Sequence, residues 1–188
     1  MIQYIEQSRD GATWKRPVSK VSTVAQACEL EVLSFLYVFT LMTKPDRVLE
    51  IGTFEGESAK AMGSALQENK RGKLRTIDIT DNGQLQNLKH LQEIVKVIVC
   101  LPEEVRINSG RGAPYDMVFI DDGHEMNDVY RDLRIANDFI KKDGYIIGHD
   151  AYEISVQRGL QKFTDENGEL YEQMIVKSLN GIFILRRR

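Results

Sequence analysis

Residues 47–58 read RVLEIGTFEGES, and this stretch decides the fold. Val48 to Ile51 is a short apolar run after Pro45, long enough for a buried strand and too short for a helix. Glu50 sits at the strand end, and Gly52 and Gly56 bracket a turn in which the backbone can bend sharply and approach a ligand closely. A helical pattern starts at Glu57. A strand, a glycine loop and a helix, early in an alternating chain, form the junction at which open parallel sheets bind nucleotide-like molecules.

Working outward, strand and helix patterns alternate on both sides of that junction. A helix is predicted from Ser22 to Thr43, with Leu30, Leu33, Leu36 or Tyr37, and Leu41 on its apolar stripe and Lys44-Pro45 as its stop. After the helix from Glu57 to Asn69 come a strand Lys73–Ile79, a helix Leu85–Val95 and a strand Lys96–Cys100. A helical turn Glu103–Ile107, a strand Tyr115–Ile120, a helix Asn127–Ile140, a strand Gly144–Gly148 and a helix Ser155–Phe163 follow. Tyr171–Val176 and Gly181–Leu185 flank a turn at Leu179-Asn180 and read as a closing hairpin. Strands separated by helices require right-handed crossovers and a parallel sheet covered on both faces. The organisation is an irregular N-terminal arm over residues 1–20, which holds Trp14, and one open α/β domain over residues 21–188.

Composition narrows the class. A chain of 188 residues with 42% hydrophobic and 28% charged content fits one soluble domain. A net charge of −3 gives no basic field for nucleic acid or an anionic membrane surface. Cys28 and Cys100 form no spaced metal motif or disulfide framework and read as buried free thiols of a reducing compartment. The first ten residues lack the apolar core of a signal peptide, and the run Val32–Met42 is too short to cross a bilayer. The expected location is therefore the cytoplasm.

Three ligands compete for the first loop. A phosphate-loop NTPase needs GxxxxGK[ST], which residues 52–60 do not supply. A dinucleotide fold wants GxGxxG, but Phe54 occupies the middle glycine position and Glu55 brings negative charge where a pyrophosphate would rest. S-adenosylmethionine carries an ammonium and a sulfonium, so Glu50 becomes an asset rather than an obstacle. Asp78 ends the second strand, where an acid can take both hydroxyls of a ribose.

EIGTFEGES, then TIDI, FIDDGH and GYIIGHD in that order, resemble the class I S-adenosylmethionine-dependent methyltransferases over roughly residues 22–185. The nearest branch in appearance is that of the catechol and caffeoyl-CoA O-methyltransferases, with the macrocin-type sugar O-methyltransferases and cephalosporin-hydroxylase-like proteins. The resemblance implies a Rossmann-like methyltransferase sandwich whose mostly parallel sheet ends in a C-terminal antiparallel hairpin. It implies that Glu50, Gly52, Thr53, Phe54, Gly56 and Ser58 surround the methionine end of the cofactor and that Asp78 holds its ribose. Leu101 and Glu103 fall beside the adenine on the same footing, and Asp121 lies near both the methionine amine and a metal.

FIDDGH ends the fourth strand and GHD the fifth, so a parallel sheet brings Asp121, Asp122, His124, His149 and Asp150 to the edge that carries the first loop. Carboxylates on neighbouring strand ends suit a hard divalent cation. By resemblance, Asp121 and Asp150 are metal ligands, with magnesium the expected ion, and His149 is a weaker ligand or a supporting group. Ala151 stands where the catechol type has an asparagine ligand, and His124 matches the position of the general base. Asp122 reads as a brace for the turn before Gly123, and His90 as a surface residue.

The expected activity is O-methyl transfer to a small hydroxylated acceptor such as a sugar, polyketide or phenol. Two alternatives stay open: an iron-dependent oxygenase using the histidines, and a non-catalytic cofactor-binding subunit. No NPPY-like motif follows the fourth strand, which argues against a nucleic-acid methyltransferase. A homo-oligomer built on the apolar helix before Pro45 stays open as well.

Overall fold

The computed structural model describes residues 28–104 and 114–188, together with a small backbone ladder pairing Ser8–Arg9 with Ala12–Thr13. Trp14 and the rest of the expected arm, residues 22–27 of the first expected helix, and the turn past residue 104 lie outside the described residues; the described helix begins at Leu30, with Cys28 and Glu29 outside it. The main sheet has seven strands: β1 Arg47–Ile51, β2 Lys73–Asp78, β3 Val95–Val99, β4 Tyr115–Ile120, β5 Ile140–Gly148, β6 Tyr171–Val176 and β7 Ile182–Arg187. Their spatial order is β3-β2-β1-β4-β5-β7-β6. The first five strands are parallel, and β7 runs antiparallel between β5 and β6. The order reverses between β1 and β4, where an open sheet forms a crevice.

Strand alternation splits the core into two layers. Val48, Met117, Phe119 and Ile147 face α1 (Leu30–Thr43) and α2 (Glu57–Asn69). Leu49, Ile51, Val118, Ile120 and Ile146 face α4 (Met126–Phe139) and α5 (Ile154–Asn167). Strands buried on both faces explain the continuous apolar runs that mark β1 and β4 in the sequence.

Two expectations shift. α1 buries Val32, Leu36 and Thr40, whereas Leu30 of the expected stripe is exposed. The helix is apolar nearly all round, so its inward face is fixed by packing on α2 and the sheet rather than by its own period. The expected helix Leu85–Val95 is instead the short α3 Gln84–Asn87 followed by a 3-10 turn at Lys89–Leu91. Leu88 and Leu91, three residues apart, are both buried, and this spacing suits the tighter turn. Among the described residues no helix is long and apolar enough to cross a membrane.

Candidate active site

The carboxyl ends of β1, β2, β4 and β5 are joined by backbone hydrogen bonds beyond the last ladder pairs. Gly52 N–H donates to Ile77 O at 2.9 Å, Asp121 N–H to Ile51 O at 2.9 Å and His149 N–H to Ile120 O at 3.2 Å. Gly52 lies at φ +94°, and a Cβ there would fall 2.1 Å from the Asp121 carbonyl oxygen. The loop passes so close to β4 that only hydrogen fits.

Phe54 adopts φ +46°, a left-handed conformation unusual for an aromatic residue. Its benefit is visible in the next contact. The backbone N–H groups of Thr53 and Phe54 both donate to Asp78 Oδ2, at 3.0 and 2.6 Å, and Thr80 N–H donates to Oδ1 at 3.0 Å. Asp78 thus braces the loop as well as lining the cavity, a role not evident from its strand-end position alone.

Glu50 alternates with Val48 and Leu49 and points into the α1/α2 layer, opposite Thr76 and Phe119 in the sheet register. It is fully buried, and neither carboxylate oxygen makes a well-formed hydrogen bond. Burial pushes its carboxyl up to about 8; the nearby Ser58 and Thr76 hydroxyls pull downward, and the charges of Asp121 and Asp78 push it further up. A buried acid of this kind is what a cationic ligand group would offset.

The sign of its pH effect follows from this shift. The folded state holds the Glu50 proton more tightly than the unfolded chain does, so stability falls as pH rises from about 4.5 to about 8 and is flat above. Glu50→Gln should therefore stabilise the ligand-free protein at pH 9 by about 1–3 kcal/mol in denaturant titrations. The same variant should bind S-adenosylmethionine more weakly in calorimetry.

At the other end of the crevice six side chains form one charged network. His149 is almost fully buried, with Nε2 2.7 Å from Glu29 Oε2 and Nδ1 3.3 Å from both Asp121 Oδ1 and Asp150 Oδ2. His124 lies at the mouth, its Nε2 3.1 Å from Asp150 Oδ2 and 3.7 Å from Asp121 Oδ1, and its Nδ1 3.7 Å from Glu153. The Cys28 thiol donates to Asp121 Oδ2 at 2.7 Å. Asp150 sits at φ +55°, which turns its carboxylate back toward Asp121 and both imidazoles.

These contacts set the protonation pattern. Burial works to raise Asp121, yet His124, His149 and the Cys28 thiol hold it well below the usual carboxylate range. Burial alone would strip the proton from His149, but Asp121 and Asp150 outweigh it and lift the imidazole to about 11. Asp121, ahead of Asp150 and Glu153, raises His124 as well, against its partial burial. Burial, followed by the Asp121 charge, pushes the Cys28 thiol well up, so it stays a proton donor.

A cavity of about 710 Å3 joins the two ends. It is lined by Gly52, Thr53, Phe54, Gly56, Ser58 and Asp78 on one side and by Asp121, His124, His149 and Asp150 on the other. Glu50 lies beneath it rather than in its wall. Leu101 and Glu103 are not brought to it: Leu101 is exposed, and Glu103 lies 3.6 Å from Arg131. Asp122 also lines the cavity and lies 3.1 Å from the Arg131 guanidinium. Both cysteines are half-buried rather than buried, and Cys28 lines the cavity.

Sequence reasoning missed Glu29, Glu153 and Asn180. Asn180 Nδ2 donates to Glu29, and 151 positions separate the two. Glu29 and Asn180 are remote in sequence from the strand-end motifs, whereas Glu153 follows Asp150 at the spacing that separates His124 from Asp121.

The residues present fit both groups implied by the resemblance. An unpaired buried carboxylate under a glycine loop suits a cationic cofactor, and convergent Asp121, Asp150 and imidazole donors suit a divalent ion. The Methyltransferase domain family matches residues 49–151. No curated protein matches the sequence. Among solved structures, an O-methyltransferase from Bacillus cereus in complex with SAH aligns with a TM-score of 0.76 at 17% identity, over 88% of this chain and 84% of that one. The O-methyltransferase TomG from Streptomyces achromogenes, in complex with SAM, aligns with 0.74 at 18% identity over 86% and 82%. SAH-bound methyltransferase PaMTH1 from Podospora anserina aligns with 0.70 at 17% identity over 87% and 80%. With that family match on more than half of its length and this fold over nearly all of it, the chain belongs to the methyltransferase-domain family and is a class I S-adenosylmethionine-dependent methyltransferase.

Proposed function

We propose that the protein moves the methyl group of S-adenosylmethionine to a hydroxyl of a small molecule, with a divalent metal held at Asp121 and Asp150. One observation carries the reading: a single cavity runs from the Gly52–Ser58 loop to the carboxylate and imidazole cluster. When bound, the cofactor supplies an activated methyl group, and the ion acidifies and fixes the acceptor hydroxyl. The chain's own task is placement. Gly52 and Phe54 shape the cofactor loop, Asp78 fixes that loop through two amides, and Glu29 locks the His149 ring between the two ligand carboxylates. His124 stands at the mouth, within reach of a proton leaving an acceptor bound there.

The test is mass-spectrometric detection of an O-methyl product from a panel of polyhydroxylated compounds, with S-adenosylhomocysteine release as the second readout. Methylation only at nitrogen or carbon, or none across the panel, rejects the reading.

Charge narrows the acceptor further. Seven carboxylates line the cavity, and among the described residues neither a lysine nor an arginine does. Even with the two imidazoles and the proposed ion set against them, the carboxylates predominate, so an anionic acceptor would meet a net negative wall. For a matched series on one hydroxylated skeleton, the carboxylate member should show a KM at least about tenfold above those of the amine and alcohol members. Steady-state kinetics with the three compounds checks this.

A further inference from the structure

We propose that His124 is itself a metal ligand, completing a site with Asp121 and Asp150 that takes a first-row transition ion such as Mn2+ or Co2+ ahead of Mg2+. Three observations converge on it. The residue after Asp150 is Ala151, which is buried and has no side-chain donor, so the β5 end supplies only one oxygen ligand. His149 falls in a different candidate group, with Cys28 and Asp121, and its ring is buried against Glu29, whereas His124 is half-exposed at the mouth. The Cys28 thiol is directed at Asp121 Oδ2 as a donor. His124 is the imidazole grouped with both carboxylates, in a set whose ligand atoms all lie within 4.8 Å of one another.

The spacing is that of a coordination sphere. Two donors about 2.1 Å from one ion and roughly 90–110° apart lie about 3.0–3.4 Å from each other. His124 Nε2 stands 3.1 Å from Asp150 Oδ2 and 3.7 Å from Asp121 Oδ1, so a small inward turn of a half-exposed imidazole closes the set. Its Nδ1 faces Glu153 at 3.7 Å, an ion-pair distance longer than a hydrogen bond. Imidazole nitrogen is a poor ligand for Mg2+ and a good one for the later divalent ions. A ligating His124 no longer serves as the base named above, so the reaction's proton leaves to solvent or to Glu153, an exposed carboxylate of the same cavity.

The inference rests on the methyl-transfer reading only for the purpose of the metal; the site itself is read by metal binding. Metal-free protein is titrated with Co2+ and with Mg2+ in a calorimeter, and its Mn2+ complex is examined by pulsed EPR for a directly bonded 14N. The expected result is Co2+ binding at least about tenfold tighter than Mg2+, with one 14N coupling on Mn2+. His124→Gln should abolish both the preference and the coupling while changing Mg2+ affinity by less than about threefold. His149→Gln should keep the coupling even where affinity drops. A coupling that persists in His124→Gln, one that vanishes only in His149→Gln, or a wild-type protein that binds no ion overturns the proposal. S-adenosylhomocysteine titration without metal reports separately on the methyl-transfer reading: failure there with the 14N signal intact removes that reading and leaves the metal site.

Discussion

Gly52→Ala should abolish cofactor binding and lower stability by roughly 3 kcal/mol or more. The added Cβ would meet the Asp121 carbonyl oxygen at 2.1 Å, its carbon at 2.5 Å and Asp122 N at 2.8 Å, all backbone atoms. A flexible side chain could swing aside, but a strand end cannot. The φ of +94° adds strain to any L-residue at the same position. Relief requires the loop and the end of β4 to separate, which pulls Asp121 away from His149 and the loop amides away from Asp78. Thermal unfolding and calorimetric titration of S-adenosylhomocysteine should therefore fail together. A normal melt with unchanged affinity would show that the close approach of the two segments is dispensable.

Asp121→Asn should reduce turnover by more than the about 10–100-fold that loss of a residue supporting a metal ligand costs. The carboxylate accepts from the Cys28 thiol and faces both imidazoles, so one substitution removes a charge from the proposed metal site and the main counter-charge of His149. The amide keeps the size, and the fold should survive. With one flanking charge gone, the proton on His149 should come off at lower pH than in the wild type, where the folded-state value is raised to about 11. NMR titration of the imidazole resonances measures this shift beside the activity. Unchanged turnover would remove Asp121 from the machinery, and an unshifted His149 would mean that Glu29 and Asp150 hold its proton without help.

Much of the fold was legible because its information is local. β1 and β4 are buried on both sides and appear as apolar runs; α4 carries a clear stripe in Val129, Leu133 and Ala136. The second crossover was misread because Leu85, exposed, and Leu88 and Leu91, buried, make a plausible helical row whose true geometry is a 3-10 turn. At the site, the strand-end acids and histidines announced themselves in FIDDGH and GHD, since a parallel sheet must bring such ends together. What they do to one another was hidden. Glu29, 120 positions before His149, holds that residue's far nitrogen, a pairing no local pattern announces. Leu101 and Glu103 were placed by position in a poorly matched segment, and Arg131, a cation on the next helix, lies against Glu103 instead.

The insertion of β7 between β5 and β6 has a consequence for the order of assembly. Among the described residues β6 pairs only with β7, so it cannot join the sheet before β7 does. The hairpin's arrival also brings Asn180 to Glu29 and Gly181 to Ala151. The parallel strands can nucleate on neighbouring βα units, whereas this docking closes contacts across almost the whole described chain and belongs to the slow end of folding. A folding intermediate with β1 to β5 in register would have its glycine loop in place but its β5 end unsupported. The protein would therefore acquire the means to hold the methyl donor before it acquires the means to use it.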